Sequence, residues 1–127
     1  MTENQIAKQV VDAAYQIHTS LGPGLLESVY EACLAFELSE RGLFVRRQFP
    51  IPLLYRGISL EVGFFADMIV ENKLIIELKS VEHIAPVHKK QLLTYIKLAK
   101  IRLGLLINFG EELIKDGVSR IANRLPE

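Results

Sequence analysis

FFADMIVENKLIIELKS, residues Phe64–Ser80, is the stretch on which the fold turns. Apolar and β-branched residues dominate both sides of the polar break Glu71-Asn72-Lys73, so the segment reads as two antiparallel strands joined by a tight turn. Side chains alternate across a strand, which sets Ile75, Glu77 and Lys79 on one face and Leu74, Ile76 and Leu78 on the other. Both faces are otherwise apolar, as expected of a central strand covered by helices. A three-residue loop pairs Val70 with Leu74 and puts Asp67 directly opposite Glu77, with Cβ atoms roughly 5 Å apart. A two-residue loop shifts the register by one and sends Asp67 to the other face.

Opposed carboxylates destabilise a sheet, and burial raises the penalty to several kcal/mol per ion unless a positive charge compensates. Two compensations are open. Lys79 could bridge both acids near solvent at the strand end, or a divalent cation could sit between them.

Outward from this hairpin, Ile6, Val10, Ala13, Ala14, Ile17 and Leu21 recur at helical spacing and predict a first helix from Asn4 to about Ser20. Gly22-Pro23-Gly24 breaks it, and a second helix is predicted from Leu25 to Arg41, closed by Gly42. Further strands are predicted over Leu43–Tyr55 and, after an Arg56-Gly57 turn, Ile58–Val70. Pro86 opens an amphipathic helix to about Lys100, and RLGLLINF, Arg102–Phe109, is an apolar run expected to lie parallel to the 74–79 strand in a right-handed βαβ unit. The tail from Glu111 predicts a short helix interrupted at Gly117. The sum is a mixed α/β domain of 127 residues: an N-terminal helical hairpin and an αβββαβ core with a central mixed sheet flanked by helices.

Half of the residues are hydrophobic, which suffices for one substantial core. Fifteen basic and fifteen acidic residues cancel, so no global field attracts nucleic acid and any such contact must be local. The single cysteine, Cys33, excludes an internal disulfide or a cysteine-built metal site and suits a reducing cytosol. No segment approaches the roughly 20 apolar residues of a membrane span, and the polar N-terminus does not read as an export signal. A cytoplasmic protein without membrane contact is expected.

Other residues converge on the acids. Glu27 occupies the first turn of the second helix, where the helix dipole or a capping role also favours an acid. His88, Gln91 and Tyr95 share one face of the third helix, which follows Lys79 after a short loop and can overlook the acidic strand end. A buried tyrosine with a satisfied hydroxyl explains Tyr95 equally well, and His88 at a helix N-terminus can be a surface residue. Lys89, Lys90, Lys97, Lys100 and Arg102, with Arg46 and Arg47, form either a phosphate-facing patch or a solvated surface.

These residues resemble a known family. Gly24-Leu25-Leu26-Glu27-Ser28-Val29-Tyr30 is the name motif of the GxxExxY proteins, a prokaryotic group of the PD-(D/E)xK nuclease superfamily. IHTSLGPGLLESVYE, EVGFFADMIVENKLIIELKSVE, QLLTYIKL, LGLLINFG and DGVSRI follow in the family's order along nearly the whole chain. The resemblance implies a restriction-endonuclease-like core, with Asp67 at the first acidic position and Glu77 and Lys79 at the E-x-K. Gln91 and Tyr95 resemble the Q-x-x-x-Y helix of RecB-type nucleases, and Glu27 the helical acid that completes their metal site. Ala66 stands where the PD of the superfamily's motif has proline, a change that removes no ligand.

The expected function is therefore a Mg²⁺- or Mn²⁺-dependent nuclease acting on DNA near ends or single strands. Glu27, Asp67 and Glu77 would hold the metal with the backbone carbonyl of Leu78. Lys79 would position the attacking water or neutralise charge, and Gln91 and Tyr95 would orient the phosphate. Tyr30, His88, Lys89, Lys90, Gln91 and Tyr95 are the expected nucleic-acid contacts. The alternative is a non-catalytic nucleic-acid-binding or assembly module on the same fold. A homodimer through the apolar N-terminal helix pair is a further expectation.

Overall fold

The computed structural model describes residues 1–60 and 64–125. Helix α1 spans Glu3–Leu21 and α2 spans Glu27–Glu40. Thr2 opens α1 with a capping box: its hydroxyl accepts from Gln5 N–H at 3.2 Å, while Thr2 N–H donates to Gln5 Oε1 at 2.8 Å. After α2 the chain reverses at Gly42, whose φ of 79° is one a side chain disfavours.

The expected 43–55 and 58–70 strands are each divided. Strand β1 covers Val45–Pro50 and β4 covers Phe65–Val70, while β2 (Leu53–Tyr55) and β3 (Ile58–Leu60) form a separate two-stranded ribbon. Pro50 and Pro52, lacking N–H donors, end the long ladder. Residues 61–63 of the expected 58–70 strand lie outside the described residues. Strand β5 (Leu74–Lys79), helix α3 (Pro86–Leu98) and strand β6 (Leu103–Asn108) give the predicted parallel crossover. The tail departs from expectation. A 3₁₀ turn at Ile114–Gly117 leads into strand β7, Val118–Ala122, which pairs antiparallel with β6. Its Val-Ser-Arg-Ile-Ala sequence alternates only briefly, and the helix-forming residues before it masked that alternation.

The five-stranded sheet runs β1-β4-β5-β6-β7. Leu74, Ile76 and Leu78 pack with Ile6, Val10, Leu34 and Leu38 on the α1–α2 side. Ile75, Ile69 and Leu106 pack with Leu92, Tyr95 and Ile96 on the α3 side. Gly104 lets α3 approach closely, since a Cβ there would stand 2.9 Å from Leu92. This is the mixed sheet between helices that the sequence predicted.

Candidate active site

The β4–β5 turn settles the register: Val70 pairs with Leu74, Ile69 with Ile75 and Met68 with Ile76. The next step brings Asp67 to Glu77, and there the side chains replace the ladder. Leu78 N–H donates to Asp67 Oδ2 at 2.7 Å, and Asp67 N–H donates to Glu77 Oε1 at 3.2 Å. Each carboxylate thus satisfies a backbone donor of the opposite strand. Substituting either acid by an apolar residue would orphan an N–H as well as remove a charge.

Glu77 is 7 % exposed. Burial first and the neighbouring Asp67 charge second push its pKa up to about 8, and Lys79 opposes the shift more weakly. Lys79 lies on the same strand face, half-buried, and makes no ion pair with any described residue. Among the described residues no salt bridge compensates the acids, and without a cation between them Glu77 favours its protonated form.

Tyr95 reaches this site from α3. It is buried, and its hydroxyl pKa is raised by burial and then by the charges of Glu77 and Asp67. Gln91, one turn earlier, is exposed on the same helix, as are Lys89 and Lys90. The His88 ring is turned to its own helix start, where Nδ1 accepts from Ala85 N–H at 3.2 Å. Leu78 has its side chain buried among the α1–α2 contacts, so it can serve the site only through its backbone.

One expectation needs correction. Tyr30, assigned to nucleic-acid contact, is 0 % exposed and stacks on Phe109 with ring centroids 4.3 Å apart. Its hydroxyl donates to Gly22 C=O at 2.5 Å and accepts from Leu25 N–H at 3.2 Å, closing the turn between α1 and α2. An aromatic ring with one polar end is suited to that position, and it leaves nothing for a ligand to touch. Glu27 begins α2 but is exposed, and no group of three His, Cys, Asp or Glu side chains stands close enough to hold a metal among the described residues. The Glu27 loop does adjoin the site, because Ser80 Oγ donates to Leu25 C=O at 2.6 Å just beyond β5.

The basic residues also divide. Arg47 pairs with Glu31 of α2 at 2.9 Å, and Arg46 lies over the Phe49 ring at 4.6 Å. Both are occupied within the fold. Glu31 is a buried acid that sequence reasoning passed over, and it also accepts from Gln48 Nε2 at 2.8 Å. Asn108 was missed as well. Fully buried at the end of β6, its Oδ1 accepts from Val81 N–H and Gly110 N–H at 3.0 Å each, and its Nδ2 donates to Val81 C=O at 2.9 Å. An asparagine closing an apolar strand beside glycine was the available signal, and its task is to pin the chain leaving Lys79.

An acid on one strand of a hairpin, faced by an E-x-K on the next and overlooked by the crossover helix, is the arrangement of a phosphodiester-cleaving fold class. The sequence model of the PD-(D/E)XK nuclease superfamily matches residues 4–121, and the chain belongs to that superfamily. Its members are typically metal-dependent. No curated protein and no solved structure matches the chain.

Proposed function

We propose that the protein is a metal-dependent nuclease of the GxxExxY group that hydrolyses phosphodiester bonds in DNA, near ends or in single strands, within the cytoplasm. The reading is carried by the opposed Asp67–Glu77 pair, held by reciprocal backbone bonds and without an ion pair among the described residues. Its oxygen donors fit a hard dication, and two carboxylates with the Leu78 carbonyl suffice for Mg²⁺ or Mn²⁺, which retain several waters. Glu27, exposed at the start of α2, would join them as a third acid once an ion draws it in. The bound ion would supply a more acidic water and stabilise charge on the phosphoryl oxygens.

The chain's own groups divide the remaining work. Lys79 presents an ammonium with no ion pair among the described residues, able to hold a phosphoryl oxygen and offset charge as the attacking oxygen bonds to phosphorus and the ester oxygen departs. Tyr95, its hydroxyl pKa raised, stays a neutral hydrogen-bond donor toward the phosphate. Gln91, exposed one turn away, offers an amide donor. The apolar surround of Ile75 and Ile69 limits water at the pair and strengthens these electrostatic contacts.

One observation favours a second reading, a non-catalytic nucleic-acid-binding or assembly module: no third acid completes the cluster among the described residues. Labelled single-stranded and duplex DNA with saturating Mn²⁺ separates the two. Cleavage that disappears in Asp67→Ala and Lys79→Ala, both still folded by circular dichroism, is the expected outcome. Cleavage retained in Asp67→Ala would reject the assignment, and salt-sensitive binding without cleavage would favour the module.

A further inference from the structure

At the C-terminal end of α3 lies a concavity of about 630 Å³, lined by Lys97, Lys100, Ile101, Arg102, Asn123 and Arg124. Four of its six lining residues are cations, none is an acid, and none of the four forms an ion pair among the described residues. In a chain of zero formal net charge this is a local concentration of one sign. The helix end accounts for part of it, since cations favour the exposed carbonyls of a last turn. Arg102 and Arg124 come from elsewhere, one before β6 and one after β7. They are brought together by Asn123 N–H donating to Arg102 C=O at 2.8 Å.

The backbone supplies an independent sign. Lys100 follows the last turn of α3, where Ile101 N–H donates to Ile96 C=O at 2.9 Å and Lys100 N–H donates to Lys97 C=O at 3.2 Å. That helix ending favours glycine at the left-handed position, yet the chain places lysine there with φ of 58°. Arg124 is also left-handed, with φ of 57°. Two long cations thus occupy conformations in which their Cβ atoms are a steric burden. Both line the same cleft.

We propose that this cleft is a second phosphate site, in which Lys97, Lys100, Arg102 and Arg124 grip the phosphodiester backbone of a nucleic-acid strand away from the acid pair. The choice of ligand rests on the nuclease reading, and the position agrees with it. Lys97 stands in the last turn of α3 and Lys100 just beyond it, on the element that carries Gln91 and Tyr95, so a strand running the length of this 13-residue helix, roughly 20 Å, would span the acids and the cleft. Bound there, it is held by charge without being read by sequence.

The test measures binding of labelled single-stranded and duplex oligonucleotides in EDTA between about 50 and 200 mM salt, so that cleavage plays no part. The wild-type affinity should fall with salt, with a logarithmic slope of roughly 0.7 to 0.9 per phosphate contacted. The double variant Lys100→Gly/Arg124→Gly should bind at least tenfold more weakly with a shallower slope, while its melting temperature stays level or rises. A purely structural role for the two residues predicts the opposite pattern. If glycine lowers the melting temperature, Lys97→Gln/Arg102→Gln carries the same binding expectation. Failure of the wild-type protein to bind, or unchanged affinity and slope in the variants, would overturn the cleft. Binding that depends on the cleft without Mn²⁺-dependent cleavage would overturn the nuclease and leave the cleft standing, and cleavage with unchanged binding would do the reverse.

Discussion

Glu77 makes stability depend on pH in an unusual direction. Its folded pKa, about 8, lies above the ordinary value of 4.5 because burial and Asp67 penalise its charged form. Between those values the folded chain holds a proton that the unfolded chain has released. Stability is therefore greatest below about pH 4.5 as far as this group is concerned and declines as pH rises toward 8, by roughly 1.4 kcal/mol per unit at most. Denaturant melts of Glu77→Gln in metal-free buffer should show this decline removed, because the amide keeps an acceptor for Asp67 N–H without a charge. Asp67→Asn should likewise lower the Glu77 pKa in a carbon-13 carboxyl titration and be neutral or stabilising without metal. A Glu77 pKa unmoved by that substitution would mean burial alone sets it. Strand alternation makes the acid pair legible in the sequence up to one choice of register, and the turn that sets Asp67 opposite Glu77 is fixed only in the fold. That Lys79 has no carboxylate partner among the described residues is not legible there, because ion pairing depends on side-chain reach in three dimensions.

Among the elements, the G-x-x-E-x-x-Y segment changes meaning once folded. Gly24 takes a φ of 101°. Tyr30 then fastens the turn from within, and Ser80 ties Leu25 to the end of β5. Tyr30→Phe should retain the stacking on Phe109 but orphan Gly22 C=O and Leu25 N–H, costing about 1–3 kcal/mol in a urea melt. Asn108→Ala should cost at least as much, since it frees three hydrogen-bonding groups of Val81 and Gly110 at once. Helix spacing revealed α1, α2 and α3 because each repeats over several turns. Strand β7 and the break between β1 and β2 escaped notice for a different reason: a five-residue strand carries too few alternations, and two prolines within apolar sequence mark a bend only when the partner strand is known. The motif tyrosine was misread because a helix wheel shows which residues share a face but not which face the core covers.

For the molecule as a whole, the uncompensated acids predict that a divalent cation acts as a stabilising ligand. Melting temperature should rise with Mn²⁺ concentration in the wild-type protein, following the usual logarithmic dependence on free ligand, and stay flat in Asp67→Asn/Glu77→Gln. A rise of equal size in both would place the ion elsewhere. No helix among the described residues is long and apolar enough to cross a membrane.

The bare backbone at Gly104 gives control over this site at a distance. A methyl group added there meets Leu92 at 2.9 Å and Ile96 at 3.1 Å, so α3 rests on the sheet through an absent side chain. Gly104→Ala and then Gly104→Val should act as shims of increasing thickness, tilting Tyr95 away from acids that are themselves unaltered. Under the proposed nuclease function, cleavage should fall in steps along that series while Mn²⁺ affinity holds, and the spacing between helix and sheet would become an adjustable parameter of the site.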